Sequence, residues 1–457
     1  MPYRTGKGGG PSPFVNAFKG PSVSSLRYNT SQFGSPLPLC YGTTRVSVNL
    51  LEGFDFTGGG SAKGGKGLGG AGGKKGNANY SVDVAFALCQ GPTNPASGAP
   101  AGFGTAPPLN NRVWANGGVA GFNTVGVNAY AGSDGQAPDP TFEGADPNRP
   151  VLGYSGTTCI TGTPLDLGST PALPNISFEV CGFGSAGNGG AGCGPNFPGD
   201  ANPAFILQDL LTNPRYGAGF PAANLDIAGT LANYGQYCQA AQLAMSLLLD
   251  RLQPCARWVE EVCELTVTAP VWSGALLKFI PYADGALAAN GAGWTPDLTW
   301  QYSFTDGDYL DQGGNGDGAT DPVVVTRQDP ASMTNWLNLE YYDTNNSYNP
   351  AILPAWDQGL IDQYGIRSEP PVQAHEFTNP TSTTVSAQLQ LQRKAYIRNA
   401  YQFKLGFRYM LLEPMDIVLL TDATAGLAAA PVRITQIDED DNGELTVTAE
   451  EIPGLTP

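Results

Sequence analysis

The stretch GSAKGGKG, Gly60 to Gly67, lies one residue from the phosphate-cradling P-loop pattern. That chemistry needs a hydroxyl residue after the lysine for magnesium and a helix after the glycines to present backbone N–H groups. Here Gly67 follows Lys66, and the run GGGSAKGGKGLGGAGGKKG (58–76) leads toward a strand, not a helix. The loop is therefore read as a hairpin extension. In a sharper form it is a cationic finger, with Lys63, Lys66, Lys74 and Lys75 meeting an anionic partner. DEDDNG (438–443) resembles the first half of a calcium loop, but the twelfth position, where such a loop needs a bidentate Glu, is Ala449. Its flanks alternate as strands do, so it is read as a hairpin turn in which Asn442-Gly443 takes positive φ. DGDYLDQGGNGDGATD (306–321) gathers Asp306, Asp308, Asp311, Asp317 and Asp321, oxygen ligands among which calcium could sit, but in no standard spacing, and a solvated turn is the preferred reading. His375, the single histidine, excludes any site needing two from one chain, such as a H-E-x-x-H zinc protease. No G-x-S-x-G appears. Trp272, Trp294, Trp300 and Trp336 fit either a sugar-binding face or the core of a β protein. No catalytic residue, cofactor site or metal site is assigned.

These residues sit in an acidic, turn-rich chain. Its 457 residues imply two to four domains. Lys and Arg number 23 against 40 Asp and Glu, a formal charge of −17, which argues against coating DNA and for a surface that DNA slides past. With 61 Gly and 38 Pro, yet 10% aromatics, the chain has a real core joined by long loops, and is mainly β. No apolar run reaches the length of about 20 residues needed to span a membrane. MPYRTGKGGGPSPF carries no apolar signal core. The eight cysteines include no C-x-x-C pair, and free buried thiols are expected.

Residues 1–22 read as a Gly-, Pro- and Lys-rich arm that orders on assembly. Period-two alternation marks strands through 23–182: Val46, Val48 and Leu50; Val82, Val84 and Phe86 against Asp83 and Ala85; Ile176, Phe178 and Val180. Residues 118–150 read as polar loop, and 182–200 as a glycine linker at the first domain boundary. Helical spacing then appears in NPAFILQDLLTNP, LANYGQYCQAAQLAMSLLLD and PCARWVEEVCELT, before a hairpin around Ser273-Gly274. This defines a first β domain over 23–200, a mixed helical domain over 201–285 and a second β domain over 286–457. Within the last, 382–401 reads either as an amphipathic helix with Val385, Leu389, Tyr396 and Ala400 inward, or as the start of a strand.

Several phrases in fixed order carry a resemblance: SQFGSPLPLCYGTTRV (31–46), NYSVDVAFALCQGP (79–92), RVWANG (112–117), LPNISFEVCG (173–182) and APVWSGALLKFIPYAD (269–284). Later come DPASMTNWLNLEYYD (329–343), QLQRKAYIRNAYQFKLG (390–406), LLEPMDIVLLTD (411–422) and PVRITQIDEDDNGELTVTAEE (431–451). Together they resemble the tail-hub (tail-tip or baseplate-hub) proteins of tailed bacteriophages, in the long-tailed, non-contractile class that includes the tip-attachment proteins of lambda-like phages. The resemblance implies two tube-like β-barrel hub domains with a mixed domain between. It implies a homotrimer whose pseudo-sixfold ring docks on the tail tube and a virion location at the tail tip, after assembly in the host cytoplasm. The implied partners are the distal tail protein, the tape-measure protein and tail fibre or receptor-binding proteins, with host-envelope contact during ejection. Genomic DNA would pass through the lumen without sequence-specific binding. The competing readings are a tail-tip enzyme, a cell-wall or capsule hydrolase, and a carbohydrate-binding protein.

Overall fold

The computed structural model describes residues 36–57, 79–92, 112–115, 118–121, 125–145, 152–169, 171–188, 190–310 and 321–453. Their composition is mainly β, with 41% strand and 22% helix, as the turn-rich, aromatic sequence predicts. The chain opens with β1 (Leu39–Cys40), β2 (Thr43–Ser47) and β3 (Asn49–Thr57). It continues through β4 (Tyr80–Gln90), β5 (Arg112–Ala115), β6 (Gly118–Gly121), β7 (Asn128–Tyr130), β8 (Thr157–Gly168) and β9 (Ile176–Cys181). Two four-stranded sheets result, ordered β2-β9-β5-β6 and β3-β4-β8-β7. Val46, Phe178 and Val180 from the first meet Val84, Phe86 and Ile160 from the second in one apolar core. β4 departs from the expected alternation. It is buried from Val82 to Cys89, Asp83 included: sheet neighbours flank both its edges, and Val82, Val84, Phe86 and Leu88 face the core shared with the first sheet. The stretch read as loop holds β6, β7 and a short helix α1 (Pro140–Ala145).

Residues 182–200 are folded where a linker was expected. Cys193 and Phe197 are buried together with Ala244, and Ala186 N–H donates to the Pro198 carbonyl at 2.7 Å. Glycine content misleads here because Gly184, Gly192 and Gly194 supply positive φ for tight turns inside a packed loop. Helix α2 (Pro203–Thr212) follows, with Asn202 capping it through the Ala204 N–H and Pro203 at its first turn. Helix α3 (Ala232–Ala240), β10 (Leu248–Leu249) and α4 (Cys255–Leu265) come next. The pair β11 (Thr268–Ser273) and β12 (Leu276–Pro281) turns on Gly274 and Ala275, both left-handed, one residue later than expected. A small pair, β13 (Leu287–Ala289) and β14 (Ala292–Trp294), packs on α3.

Beyond these come β15 (Trp300–Phe304), β16 (Tyr309–Leu310), β17 (Val323–Arg327), β18 (Trp336–Asp343) and β19 (Asn349–Trp356). Then follow α5 (Gln358–Tyr364), β20 (Val372–Gln373), α6 (Pro380–Tyr396), β21 (Asn399–Leu405), β22 (Ile417–Asp422), β23 (Leu427–Glu439) and β24 (Leu445–Glu451). Seven of these strands form a curled, half-barrel sheet, ordered β15-β22-β23-β24-β21-β16, with β17 also on β21. Its inner face buries Phe304, Phe403, Val418, Ile434 and Val447. The third core joins distant sequence. Leu39 and Tyr41 pack with the helices of 203–265 and with Leu337, Leu339, Phe377 and Leu391.

Residues Pro380–Tyr396 form helix α6, and of the four residues expected inward Val385 and Leu389 are partly buried against the core, whereas the fully buried face is made of others. Ser382, Ser386, Ala387 and Leu391 are buried, whereas Tyr396 is 43% exposed and Ala400 stands exposed on β21. Small polar residues face inward because they satisfy backbone groups of the helical unit. Ser382 Oγ donates to the Gln242 carbonyl at 2.7 Å, and Ser386 Oγ to that of Leu265 at 2.6 Å. Apolar periodicity alone does not see that face.

Candidate assembly interface

Lys63, Lys66, Lys74 and Lys75 lie outside the described residues, as does most of 306–321. The remaining sequence motifs are each accounted for. In the 438–443 turn, Gly443 alone takes positive φ, 75°, and its N–H donates to the Asp440 carbonyl at 3.0 Å. Asp440 N–H and the Glu444 carbonyl close a three-residue loop, a geometry built on one left-handed residue and not two. Asp308 accepts from Arg408 and from the Tyr409 hydroxyl, each at 2.5 Å. The Tyr409 hydrogen bond, with those from Thr305 and the Arg408 charge, holds its carboxyl below the usual range against a slight desolvation. His375 shares a 2.9 Å hydrogen bond with Glu340 and stacks on Tyr342 with centroids 4.2 Å apart. Trp272, Trp294, Trp300 and Trp336 stand in four different sheets. Trp294 is buried, and Trp336 stacks on Trp356. All eight cysteines are free, seven of them buried, and burial pushes thiols such as Cys89 up to about 12. Among the described residues no group of three His, Cys, Asp or Glu converges.

The structure brings together residues that no motif singled out. The β18–β19 turn plugs onto the first β unit. Arg112 Nε donates to Glu179 Oε1 at 3.0 Å and Nη1 to the Thr344 carbonyl at 2.8 Å, while the Tyr348 hydroxyl donates to the same Glu179 oxygen at 3.0 Å. Arg45 donates from Nε to Ser177 Oγ at 2.7 Å and from Nη1 to the Ser347 carbonyl at 3.1 Å, with its guanidinium 4.4 Å from the Trp114 ring centre. Ser347 and Tyr348 both hold left-handed φ, 58° and 60°, a strain of order 1–3 kcal/mol each that this network sustains. Burial opposes charge on both arginines. The Glu179 hydrogen bond and charge more than offset it for Arg112, whereas Arg45, repelled by Arg112 as well, is pushed down to about 10. Arg45, Arg112 and Glu179 sit within alternating strands, so spacing marked them as ordinary sheet residues. Only their meeting with a turn 169 to 302 positions away, a separation of at least a whole domain, makes them a clamp.

Two surfaces remain open for partners. Phe407, Met410 and Leu411, on the turn after β21, are each more than half exposed, Leu411 at 75%. Exposed apolar side chains gathered on one turn mark an interaction site more often than a free surface. The second is a trough of about 1300 Å³ at one mouth of the curled sheet, lined by Val323, Val325, Arg327, Tyr401, Leu427 and Glu451. It runs beside β17, which among the described residues pairs with β21 alone. An edge strand is a template for added strands.

Residues 255–437 match the family model described as "Putative phage tail protein". Over 96% of its length the chain is similar in fold to a chain from the virion of a native gene transfer agent particle, of which it covers 90%, at a TM-score of 0.60 and 16% identity. It also matches a prophage tail protein from Listeria monocytogenes EGD-e, with 13% identity, TM-score 0.28, and 46% and 56% of the two chains covered. A third match is the 43 kDa tail protein of prophage MuSo2 from Shewanella oneidensis, with 11% identity, TM-score 0.31, and 92% and 100% covered. The last two are too distant to carry an argument. No curated protein matches the chain. Over residues 255–437 the chain thus resembles a phage tail protein family, and nearly all of it shares the fold of the gene transfer agent chain.

Proposed function

We propose that this chain is the hub at the distal end of a phage tail. The observation that carries the reading is the presence of two separate β cores in one chain, one under the paired four-stranded sheets and one inside the curled seven-stranded sheet. Three copies with two such units each make a pseudo-sixfold ring that docks on a sixfold tube. In this reading the paired sheets and the curled sheet form the ring, and 201–285, whose core is shared with Leu337, Leu339, Phe377 and Leu391, forms the connector. The formal charge of −17 suits a wall past which DNA slides. Function is mechanical in this reading: the ring closes the tube, anchors fibres, and opens for tape-measure protein and DNA. The Gly–Lys loop, with Lys63, Lys66, Lys74 and Lys75, is proposed as a contact to another tail protein or the lumen contents. Changing the four to Ser should lower infective titre, and an unchanged titre removes that role.

The test is the native mass of the purified protein by light scattering, with negative-stain imaging of labelled tails. A trimer whose label lies on the tail axis near the tip is expected. A monomer absent from the tail overturns the hub.

A further inference from the structure

A cleft of about 200 Å³ opens where β2, the segment after β10, and the β18–β19 turn converge. Two of its lining side chains hold buried polar atoms to which the protein offers no hydrogen-bond partner: Nη2 of Arg45 and Oε2 of Glu376. Glu376 is 7% exposed, and such atoms are ordinarily satisfied in native interiors. Arg45 is the more unusual. Its other bonds go to a hydroxyl and a carbonyl, and no carboxylate among the described residues comes within ion-pair distance of it. The neighbouring positive charge of Arg112 is matched by Glu179, so the charge of Arg45 is left over. A partly buried guanidinium with no carboxylate partner among the described residues, lining one cleft with an unsatisfied carboxyl group, is half of a recognition pair.

We propose that this cleft binds a carboxylate that accepts from Arg45 Nη2 and is hydrogen-bonded to the Glu376 carboxyl. A second arginine of the cleft, Arg251, is spoken for by Glu261 at 3.7 Å and by the Trp258 ring, which leaves Arg45 as the anchor. A monoanion fits better than phosphate, because Asp250 lines the cleft and Glu340 stands behind His375. Burial, opposed by its own backbone N–H and by Arg251 and aided by Glu261 and Glu264 on α4, raises the Glu376 carboxyl to about 7, so about half of the molecules carry its proton in neutral solution and nearly all do one pH unit below. The carboxylate belongs to a small free acid or to the end of a polypeptide chain. The inference does not depend on the hub reading.

Calorimetric titration of the full chain with propionate, and with acetyl-trialanine bearing a free or an amidated C-terminus, tests it. One saturable site for an acid is expected. Binding of propionate alone identifies a small acid, and binding of the free peptide alone identifies a chain end. The dissociation constant should rise about tenfold per pH unit above 7 as Glu376 loses its proton. Glu376→Gln, a permanent neutral donor, should bind with that slope removed, which separates Glu376 from His375, Asp250 and the α4 carboxylates. Arg45→Gln should abolish binding. No saturable heat from either acid, equal binding of the amide, or full binding by Arg45→Gln overturns the assignment. Should Arg45→Gln fail to fold, a pH slope that persists in Glu376→Gln overturns it.

Discussion

Arg393 and Glu450 form a two-point ion pair, with Nη1 3.0 Å from Oε1 and Nη2 3.0 Å from Oε2. It fastens α6, whose inner face is buried in the helical core, to the last strand of the curled sheet. The same guanidinium lies 3.6 Å from the Tyr282 ring centre, so one side chain ties three segments. The planar fork matters, since a lysine supplies the charge without the parallel bonds.

Arg393→Lys should therefore destabilise the fold by about 1–2 kcal/mol. Denaturant unfolding reads this directly, and an unchanged midpoint would mean the pair is idle.

Glu179 has a fully buried side chain shared by Arg112 and Tyr348. Glu179→Ala leaves a largely buried guanidinium unpaired, at a cost of about 3–5 kcal/mol. Glu179→Gln should be milder. Equal melting temperatures for the alanine variant and the native chain would show that Arg112 finds water instead.

Gly42 takes φ 67°, and a Cβ there would stand 2.4 Å from Ser246 Oγ and 2.6 Å from the Met245 carbonyl oxygen. Backbone carbonyls yield little, so Gly42→Ala should cost roughly 2–4 kcal/mol through strain plus overpacking. Thermal unfolding checks it, with Gly274→Ala, whose surroundings are open, showing the φ term alone.

The raised Glu376 carboxyl sets a pH dependence. Between its unfolded value near 4.5 and about 7, the folded state holds a proton that the unfolded state has released. Stability from this group is then full below 4.5, falls as pH rises to 7, and stays low above, by roughly 3 kcal/mol in all. Melting curves from pH 4 to 8, in buffers free of carboxylate, should show the loss in the native chain and not in Glu376→Gln. Parallel curves would place the proton elsewhere.

Leu411→Ser with Phe407→Ser removes apolar surface that stays more than half exposed among the described residues. Monomer stability should change by less than about 0.5 kcal/mol, while assembly into tails should fall. Normal incorporation of the double variant into particles would clear this turn of an assembly role.

Much of the fold was legible in the residues. Val46-x-Val48, Ile176-x-Phe178-x-Val180 and the flanks of Asp440–Gly443 alternate because one strand face meets a core, and that pattern is local. Helix starts were equally local: Asn202-Pro203 and Asn379-Pro380 carry both the cap and the first-turn proline. Cysteine burial followed from composition. Three things were not local. The polar inner face of α6 depends on the Gln242 and Leu265 carbonyls waiting opposite it. The packed loop of 182–200 depends on the pocket that receives Cys193 and Phe197. The clamp of Arg45, Arg112, Glu179 and Tyr348, and the cleft beside it, depend on a turn brought back across most of the chain. The sequence by itself determined where strands, helices and turns form, because those answer to neighbours within a few residues. Which charges face one another was decided only by the tertiary structure, because partners of a buried charge are chosen by space and desolvation, not by spacing along the chain.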